Sequence, residues 1–443
     1  MESVLTRKTI ATYAVGSVGT GGFGTLPGLV LLAYMTDNLG IAAAAAGALI
    51  TVAKVWDVII DPVIGARSDR SLALRGTRRP AMILGALALP VFFVLTFAVP
   101  AGIGPVASGV WVLIAFLITA TAFSLFQVPY IALPAELTDQ YDARTRLISA
   151  RVVVLTLAIL LFGAGAPEIQ KAFENSYTGY LVMAIVAGLV IGGGLFIASF
   201  VAKRRDPVPA EPFSIADNYR AGFAALRRSQ PFRSLLATFL LQGLATGLML
   251  AGAVYLANHV IPGGSVTFIF ISLVAPAILF APVWAIISRR IGKERTFIVA
   301  SVLFGIATLV MALLLVSPGQ WVYAPIALAG IGYAGMQSLP LSMLPDVISH
   351  DAGRHGQGAA GSFGGVWTAG ETTGIALGTT VLGIVLSASG YIESVGGVDV
   401  QQPASAVTGI ALSFSIVPAV IIALSLVTFS RYPLRKADID AAR

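Results

Sequence analysis

About twelve apolar segments follow one another along the chain, separated by short polar stretches or by glycine and proline. A membrane-spanning helix needs about 20 apolar residues at 1.5 Å per residue, and each of these segments is of about that length. Only 11% of the 443 residues are charged and 57% are hydrophobic, whereas a typical soluble domain is about 25% charged. These features predict an all-α membrane protein.

The predicted spans form two groups of six, separated by the longest polar stretch of the chain. Approximate bounds are 10–35, 41–65, 80–100, 106–130, 148–166, 178–202, 234–257, 264–288, 295–316, 320–344, 358–388 and 406–430. The predicted domains are an N-terminal bundle (1–202), a cytoplasmic linker (203–233) and a C-terminal bundle (234–443). In the linker, apolar residues recur at helical spacing opposite arginines, which predicts a short amphipathic helix on the membrane surface; a disordered linker is the alternative.

The two halves repeat a basic loop at equivalent positions. GARSDRSLALRGTRRP follows the second span, and WAIISRRIGKER follows the eighth. Each has a small residue, then basic residues, then glycine followed by more basic residues. This repeat predicts duplicated bundles, an arrangement typical of secondary transporters with a solute site near the membrane midplane.

The basic residues are distributed unevenly about the predicted membrane. Of 28 Lys and Arg residues, Lys171 alone falls in a predicted outer loop, Lys54 and Arg151 lie in or at the edge of spans, and the rest fall on the predicted inner side. This bias places both termini in the cytoplasm, in contact with anionic lipid headgroups. The first span is too long for a cleavable signal peptide, and the expected location is the bacterial inner membrane.

Charged residues interrupt the second span at regular intervals. Lys54, Asp57 and Asp61 are separated by three and four residues, so they share one face of a helix. Ionisable groups at membrane depth are expensive, and they are usually paired, turned inward and functional. A purely structural ion pair is the alternative, but two acids facing one base leave a negative charge that something else must neutralise.

Several stretches carry a resemblance to a known transporter family. The loop after the second span resembles the signature loop of the major facilitator superfamily (MFS), through Gly65, Asp69–Arg70, Gly76 and Arg78–Arg79. WDVIIDP in the second span, VPYIALPAELT at the end of the fourth and GSFGGVWTAGETTGIALG in the eleventh resemble the glycoside–pentoside–hexuronide:cation symporters, the melibiose permease-like family. The resemblance covers both halves and implies twelve transmembrane helices in two pseudo-symmetric six-helix bundles, the MFS fold.

The resemblance assigns the coupling-cation site to Asp57 and Asp61. Hard cations prefer oxygen ligands, and a carboxyl group in a low-dielectric site can instead hold a proton. Gln127 stands where the melibiose permease has a third acidic residue, which favours protons over sodium. Gln127 or Ser124 could supply a neutral oxygen if sodium is the coupling ion, and Glu371 in the eleventh span is a further candidate for cation coupling.

The resemblance also identifies candidate solute-binding residues. Arg151 matches the family's substrate-binding arginine, whose guanidinium offers a fork of donors; an ion pair with a helix 2 aspartate is the alternative. Three positions besides Gln127 depart from the family: Gly21 replaces a sugar-binding aspartate, Ile131 a tryptophan, and Glu371 a frequent lysine. These departures argue against galactoside specificity. The full set expected to bind solute is Lys54, Gly21, Tyr130, Ile131, Arg151, Gln242, Trp367 and Glu371.

Two further expectations follow from the charged residues. Lys54 and Arg151 against Asp57, Asp61 and Glu371 leave the predicted cavity with one negative charge, which one proton or monovalent cation would neutralise. A second set, in the loops on the inner side, is expected to form salt bridges of a cytoplasmic gate or to be ordinary solvated charge: Asp69, Arg70, Arg78, Arg79, Glu136 and Arg144.

The sequence therefore predicts a cation-coupled symporter of a glycoside-like or other small organic solute, without cofactor and functional as a monomer. A transporter of a bulkier amphipathic solute, such as a lysolipid or drug, is the alternative, because a glycine-rich first span makes room.

Other function classes lack their sequence signatures. The sequence has no nucleophile–base pair at membrane depth that would indicate an enzyme, and it has no GxxxxGK[ST] loop that would indicate ATP-driven transport. Cysteine is absent, and His259, His350 and His355 lie in predicted loops, so no metal site is expected. The basic charge is explained by topology and does not indicate nucleic acid.

Overall fold

The protein is built from long helices that follow the predicted spans. The computed structural model describes residues 6–138, 141–202, 220, 224, 226–355, 360–398 and 400–434. Its long helices are α1 (Arg7–Asp37), α2 (Ala43–Arg75), α3 (Arg79–Phe97), α4 (Gly104–Leu137), α5 (Tyr141–Lys171), α6 (Ser176–Ser199), α7 (Gln230–Val260), α8 (Val266–Ile291), α9 (Lys293–Leu315), α10 (Tyr323–His355), α11 (Ala360–Ala388) and α12 (Ala404–Phe429). Eleven helices in the described ranges are long and apolar enough to cross a membrane, and α10 occupies the tenth predicted span.

Several helices run beyond the apolar segments that predicted them. Helix α2 continues through Arg75 and ends at Gly76, whose φ of 68° lies in the left-handed region that favours glycine. Helix α10 continues to His355 and α7 continues to Val260, so the prediction that His259, His350 and His355 lie in loops is wrong. Lys171 is the last residue of α5 rather than a loop residue. Hydropathy locates the membrane-embedded part of a helix, whereas the backbone hydrogen bonds continue until a capping residue ends them.

The chain divides into two compact units. Unit 1 comprises Met1–Ile215 with Glu393–Val400, and unit 2 comprises Ala216–Ile392 with Gln401–Arg443. In unit 1 the packed helix pairs are α1–α5, α3–α4, α2–α4, α3–α6 and α1–α6. In unit 2 they are α7–α11, α9–α10, α8–α10, α9–α12 and α7–α12, the same pairs with six added to each number. This repetition is what duplicated six-helix bundles require. Most of the predicted linker helix lies outside the described residues.

A short segment that follows α11 in the chain belongs to unit 1. Leu39, just after α1, forms an isolated antiparallel bridge with Val395. The Ser394 amide donates to the Thr36 carbonyl at 3.1 Å, and the Gly396 amide donates to the Asn38 carbonyl at 3.0 Å. Glu393 Oε1 accepts a hydrogen bond from the Ala43 amide, at the start of α2. The segment therefore caps the connection between α1 and α2.

Glycine brings helix backbones into close contact in both units. A Cβ atom at Gly378 of α11 would lie 2.4 Å from the Leu244 carbonyl oxygen of α7, and one at Gly85 of α3 would lie 2.4 Å from the Ala122 carbonyl oxygen of α4. Small residues at such crossings are how helices associate in membranes, where van der Waals packing replaces the hydrophobic driving force. These contacts hold the helices that carry the polar residues at fixed separations.

Two neighbouring glycines on α6 test this packing. Gly192→Ala should lower the melting temperature of the detergent-purified protein, because its Cβ would lie 2.2 Å from Cγ of Pro90 and overpacking costs roughly 1–3 kcal/mol. Gly193 has nothing within 4 Å of its Cβ position. Gly193→Ala should therefore keep or raise the melting temperature, since alanine is the better helix former by about 1 kcal/mol. Equal melting temperatures for the two variants would contradict the packing.

Candidate functional site

The charged face of α2 is partly compensated within unit 1. Lys54 Nζ lies 3.2 Å from Asp57 Oδ2. The same ammonium group lies 5.4 Å from the ring centre of Phe23 on α1 and 5.8 Å from that of Phe116 on α4. Cation–π attraction strengthens when the cation is desolvated, so the two rings and the carboxylate together stabilise the Lys54 charge. All three groups that stabilise Lys54 belong to unit 1.

Each aspartate of α2 has one buried oxygen that is left free. Asp57 Oδ2 is paired with Lys54, and the Asp61 carboxylate lies close enough to Ser124 of α4 to interact with its hydroxyl. Oδ1 of Asp57 and Oδ1 of Asp61 are both buried without a hydrogen-bond partner in the described part of the chain. Leaving a buried acceptor unsatisfied is unfavourable by about 1–3 kcal/mol, more for a charged group. Two free carboxylate oxygens four residues apart can together bind a proton or a metal cation.

Gln127 lies on α4 one turn beyond Ser124 and is positioned by α1. The Thr20 hydroxyl of α1 donates to Gln127 Oε1 at 2.8 Å. The amide oxygen therefore already accepts one hydrogen bond, and a neutral amide adds no negative charge to the aspartates. Sequence analysis did not identify Thr20, which comes from the glycine-rich run of α1 and is spaced three residues from Phe23.

Arg151 at the start of the α5 span lies against a tyrosine pair. Its guanidinium carbon is 5.4 Å from the ring centre of Tyr130, and its Nε is buried without a hydrogen-bond partner among the described residues. Tyr130 stacks on Tyr13 at 4.7 Å and donates its hydroxyl proton to the Tyr13 carbonyl oxygen at 2.7 Å. Contacts with α1 thus fix the ring of Tyr130. Arg151 lies against this ring with its buried Nε–H group unpaired, and this group is a donor for a bound solute.

Two positions of the predicted solute set have environments that the sequence did not indicate. A Cβ atom at Gly21 would lie 2.8 Å from Cβ of Ala158 and 2.9 Å from the Leu155 carbonyl oxygen. Gly21 therefore serves the close contact between α1 and α5 and opens no room for solute. Ile131, next to the buried Tyr130, is 53% exposed.

Unit 2 contains a small cavity, with room for about one water molecule, between α7, α10 and α11. Glu371 and Gln242 both line it, together with Tyr333 and Gln337, which sequence analysis missed although they are spaced one helical turn apart. Trp367 is buried and stacks on Phe239 at 4.4 Å between ring centres. One face of the indole is therefore covered by α7.

The predicted gate charges form ion pairs inside unit 1. Arg78 lies 2.5 Å from Asp69 Oδ1, pairs with Glu136 and donates to Ser68 Oγ at 2.8 Å. Burial would lower the pKa of Arg78, but hydrogen bonding and the charges of Glu136 and Asp69 outweigh it, so that the pKa is raised. These contacts join the end of α2, the start of α3 and the end of α4.

The remaining gate residues have different surroundings. Arg79 donates to the Phe200 carbonyl oxygen at 2.8 Å, Arg70 is exposed, and the side chain of Arg144 lies outside the described part. Unit 2 has an equivalent of the Arg78 pairs, which the repeated basic loop could have indicated. Lys293, at the start of α9, lies 2.5 Å from Asp346 on α10. Within the described residues no group of three or more His, Cys, Asp or Glu side chains could hold a metal ion.

Comparison with known proteins connects this arrangement to sugar transporters. A family model described as "MFS/sugar transport protein" matches residues 12–436. The chain is 25% identical over 444 residues to the "Glucuronide carrier protein homolog" of Escherichia coli (strain K12), covering 98% of this chain and 94% of that relative. It is 25% identical over 448 residues to the "Putative glycoside/cation symporter YagG" of the same organism, covering 99% of this chain and 94% of that relative.

Solved structures show the same fold at low sequence identity. The nucleoside transporter NupG matches with a TM-score of 0.67 and 13% identity, over 96% of this chain and 99% of that chain. A likeness at this identity concerns the fold alone. The predicted all-helical MFS fold is confirmed, as is the resemblance to the glycoside–pentoside–hexuronide:cation symporters.

The Arg78 pairs should contribute measurably to stability. Arg78→Gln would leave the half-buried Glu136 without its cation, and breaking a buried pair from one side destabilises a protein by roughly 3 kcal/mol. The expected result is a lower melting temperature in detergent. Arg70→Gln removes the same charge from an exposed position of the same region and should have little effect. If the two variants had the same melting temperature, the Arg78 ion pairs would contribute nothing to the stability of the protein.

Proposed function

The chain belongs to the MFS/sugar transport protein family, and from that premise we propose that it is a secondary active transporter for a glycoside-like solute, driven by symport of a cation. The observation that carries the proposal is the pair of buried, unpartnered Oδ1 atoms on Asp57 and Asp61. A bound proton or cation satisfies them, and its release leaves them unsatisfied again. Binding and release of a coupling ion therefore have a physical basis on α2.

The relatives' names support both parts of the proposal. One is named as a glucuronide carrier homolog and another as a putative glycoside/cation symporter. Arg151, with its free Nε held over Tyr130, is the donor we assign to solute oxygens. Lys54 is paired with Asp57 and connects ion binding with solute binding, because a change in the charge of the Asp57 carboxylate alters its attraction for the Lys54 ammonium group.

The alternative solute class, a bulkier amphipathic molecule, has less support. It rested on room made by the glycines of α1. Those positions are occupied by close contacts: a Cβ atom would lie 2.7 Å from Tyr130 at Gly16, 2.1 Å from Leu195 at Gly19 and 2.7 Å from Phe162 at Gly22. These glycines therefore support helix packing, although Gly24 of the same helix has nothing within 4 Å of its Cβ position. A small polar solute fits the protein better.

The proposed setting follows from topology. Both termini lie in the cytoplasm of a bacterial cell and the chain crosses the inner membrane, because the basic residues are concentrated on one side. One chain carries both units, so a monomer suffices for alternating access. The solute crosses unchanged, and the proposal assigns no catalytic residue.

The first test separates coupling from transport. Asp57→Asn and Asp61→Asn should each abolish gradient-driven accumulation in proteoliposomes, because an amide neither binds a proton at this site nor supplies an anionic ligand. Exchange of labelled solute across the membrane should survive in at least one variant. Glu174→Asn, at an exposed position, is the control and should accumulate normally. Full accumulation by the Asp57→Asn, Asp61→Asn double variant would refute the coupling assignment.

The second test identifies the ion. We propose protons, because Gln127 is a neutral amide and leaves sodium with only two anionic ligands, Asp57 and Asp61, whereas either carboxylate can hold a proton. With the internal pH fixed, uptake should fall as external pH rises and collapse with a protonophore. Gln127→Glu adds an acid beside the aspartates and should introduce sodium dependence. Strong sodium stimulation of the unaltered protein at constant pH and membrane potential would overturn the choice of protons.

A further inference from the structure

A short segment between α11 and α12 leaves one unit for the other and returns. The chain leaves unit 2 after Ile392, packs within unit 1 and re-enters unit 2 at Gln401. We call the segment in unit 1, Glu393–Val400, the strap. Both of its ends continue covalently into unit 2, whereas its hydrogen bonds are made within unit 1.

The strap supplies hydrogen-bond donors to the carboxyl-terminal end of α1. The last carbonyl groups of a helix have no partner within that helix. The Ser394 amide donates to the Thr36 carbonyl oxygen at 3.1 Å, and the Ser394 hydroxyl donates to the Asp37 carbonyl oxygen at 2.8 Å. The Gly397 amide also donates to the Asp37 carbonyl oxygen, at 2.9 Å. The strap therefore pairs carbonyl groups at the end of α1.

The strap also caps α2, the helix that carries Asp57 and Asp61. The residue before this helix, Ala42, makes no side-chain capping bond, and the first turn contains no acidic residue. Glu393 Oε1 accepts a hydrogen bond from the Ala43 amide at 3.0 Å instead. A carboxylate at a helix N-terminus is favoured by the unpaired amides and by the helix dipole. Glu393 thus fixes the strap to the helix on which we propose the coupling site.

Two glycines allow the strap to lie close to the start of α6. Gly396 and Gly397 have φ values of 73° and 70°, in the left-handed region that favours glycine. A Cβ atom at Gly397 would lie 2.4 Å from Cβ of Ser176. Gly397→Ala therefore opposes docking through both the backbone conformation and this contact, and it removes no hydrogen-bonding group.

The base of the strap is held within unit 2. The Ile392 amide donates to Gln402 Oε1, and Gln402 Nε2 donates to the Ile392 carbonyl oxygen, both at 2.9 Å. The preceding residue, Tyr391, is buried and lies edge-on to Tyr255 of α7 at 5.3 Å between ring centres. These contacts fix the two ends of the strap to each other and to α7.

The connection between the base and the docked part of the strap is short. Only Glu393 separates Ile392 from Ser394, whose amide is bonded to α1. One extended residue spans at most about 3.3–3.6 Å, so this connection takes up a displacement of only a few ångströms. Alternating access in secondary transporters is largely rigid-body rocking of one bundle against the other. A larger displacement of unit 2 must therefore break the hydrogen bonds of Ser394.

We propose that the strap is a latch, docked on α1 and α2 in one state of the transport cycle and detached from them in the other. The inference rests on the proposed transport by alternating access and adds a conformational control outside the ion and solute sites. Val395 is 60% exposed, so the docked strap borders solvent. Water can take over the hydrogen bonds that detachment breaks, and the strap can therefore open without unfolding of the bundle.

A disulfide tests whether transport requires detachment. Leu39 and Val395 lie opposite each other in the antiparallel bridge. The hydrogen bond from the Gly396 amide to the Asn38 carbonyl oxygen flanks this pair. The pair is thus of the non-hydrogen-bonded kind, with Cα atoms typically about 4.5 Å apart, which is within the range of disulfides. The chain contains no cysteine, so the Leu39→Cys, Val395→Cys double variant can form only this bond within one chain.

Cross-linking should stop transport reversibly. Oxidation of the double variant should lower gradient-driven accumulation in proteoliposomes at least about tenfold, because opening would limit turnover, and reduction should restore accumulation. The probes are 4-nitrophenyl β-D-glucoside and 4-nitrophenyl β-D-glucuronide. Each single-cysteine variant should accumulate equally under oxidising and reducing conditions. Full accumulation by completely cross-linked protein would overturn the latch, and so would failure of the two cysteines to form a disulfide.

Hydrogen exchange tests the same inference without a solute or a cysteine. In the unaltered, detergent-purified protein, amides of the strap should exchange faster than amides inside α1, because the strap opens while the bundle stays folded. Glu393→Gln and Gly397→Ala should each speed exchange in the strap about fivefold, since each weakens docking. Glu174→Gln changes an exposed carboxylate and should leave the exchange rate of the strap unchanged.

The two measurements separate failure of the latch from failure of the proposed function. Strap amides that exchange as slowly as the interior of α1, or that respond to neither docking variant, would overturn the latch while glycoside transport stands. If the unaltered protein accumulated neither probe, the proposed function would fail, and hydrogen exchange would still decide whether the strap opens.

Discussion

The ion pair between Lys54 and Asp57 lies within a membrane-spanning helix, where an isolated charge is expensive. Its geometry influences much of unit 1. Helix α1 supplies Phe23 and α4 supplies Phe116 against the ammonium group, so α1, α2 and α4 all contribute to holding one cation. Asp61, one turn further along α2, has no such cation and lies near Ser124 of α4. The neutralisation of one charge thereby determines which oxygens remain free for a coupling ion.

Close helix packing makes this compensation possible. Helices α1 and α5 meet through Gly21, and α7 and α11 meet through Gly378, each with backbone atoms where a side chain would otherwise be. Packing at this distance leaves little freedom for the polar side chains carried by these helices. The same five helix pairs occur in both units, so the duplicated framework is a common solution to burying helices against one another.

The polar residues do not follow this repetition. Among the residues expected to bind ion or solute, unit 1 has two bases and two acids, while unit 2 has the single acid Glu371 beside neutral amides and hydroxyls. The cytoplasmic-side ion pairs do repeat, with Arg78 and Glu136 in one unit and Lys293 and Asp346 in the other. Duplication has thus preserved the contacts that stabilise each bundle, while the groups suited to binding ion and solute differ between units.

Much of the architecture follows from the sequence alone. Apolar length determines that helices cross the membrane, because unsatisfied backbone groups are excluded from hydrocarbon, and the repeated basic loop indicates two similar bundles. The spacing of Lys54, Asp57 and Asp61 places them on one helix face without knowledge of any neighbour. These conclusions depend on local periodicity and on the solvent, both of which can be read along one segment.

Tertiary structure decided what each polar group contacts. Gly21 is a helix contact rather than open space. The Gln242 nitrogen donates to Ser301 and to Ser425, far along the chain, while the Gln242 oxygen is buried without a partner in the described part of unit 2. Helix ends also differ from the prediction, since α2 continues past its apolar segment to the cap at Gly76 and α10 continues to His355. Hydrogen bonds and close contacts between distant segments depend on distances of a few ångströms between helices. The order of residues within one helix does not specify those distances, so they are determined only when the helices pack against one another.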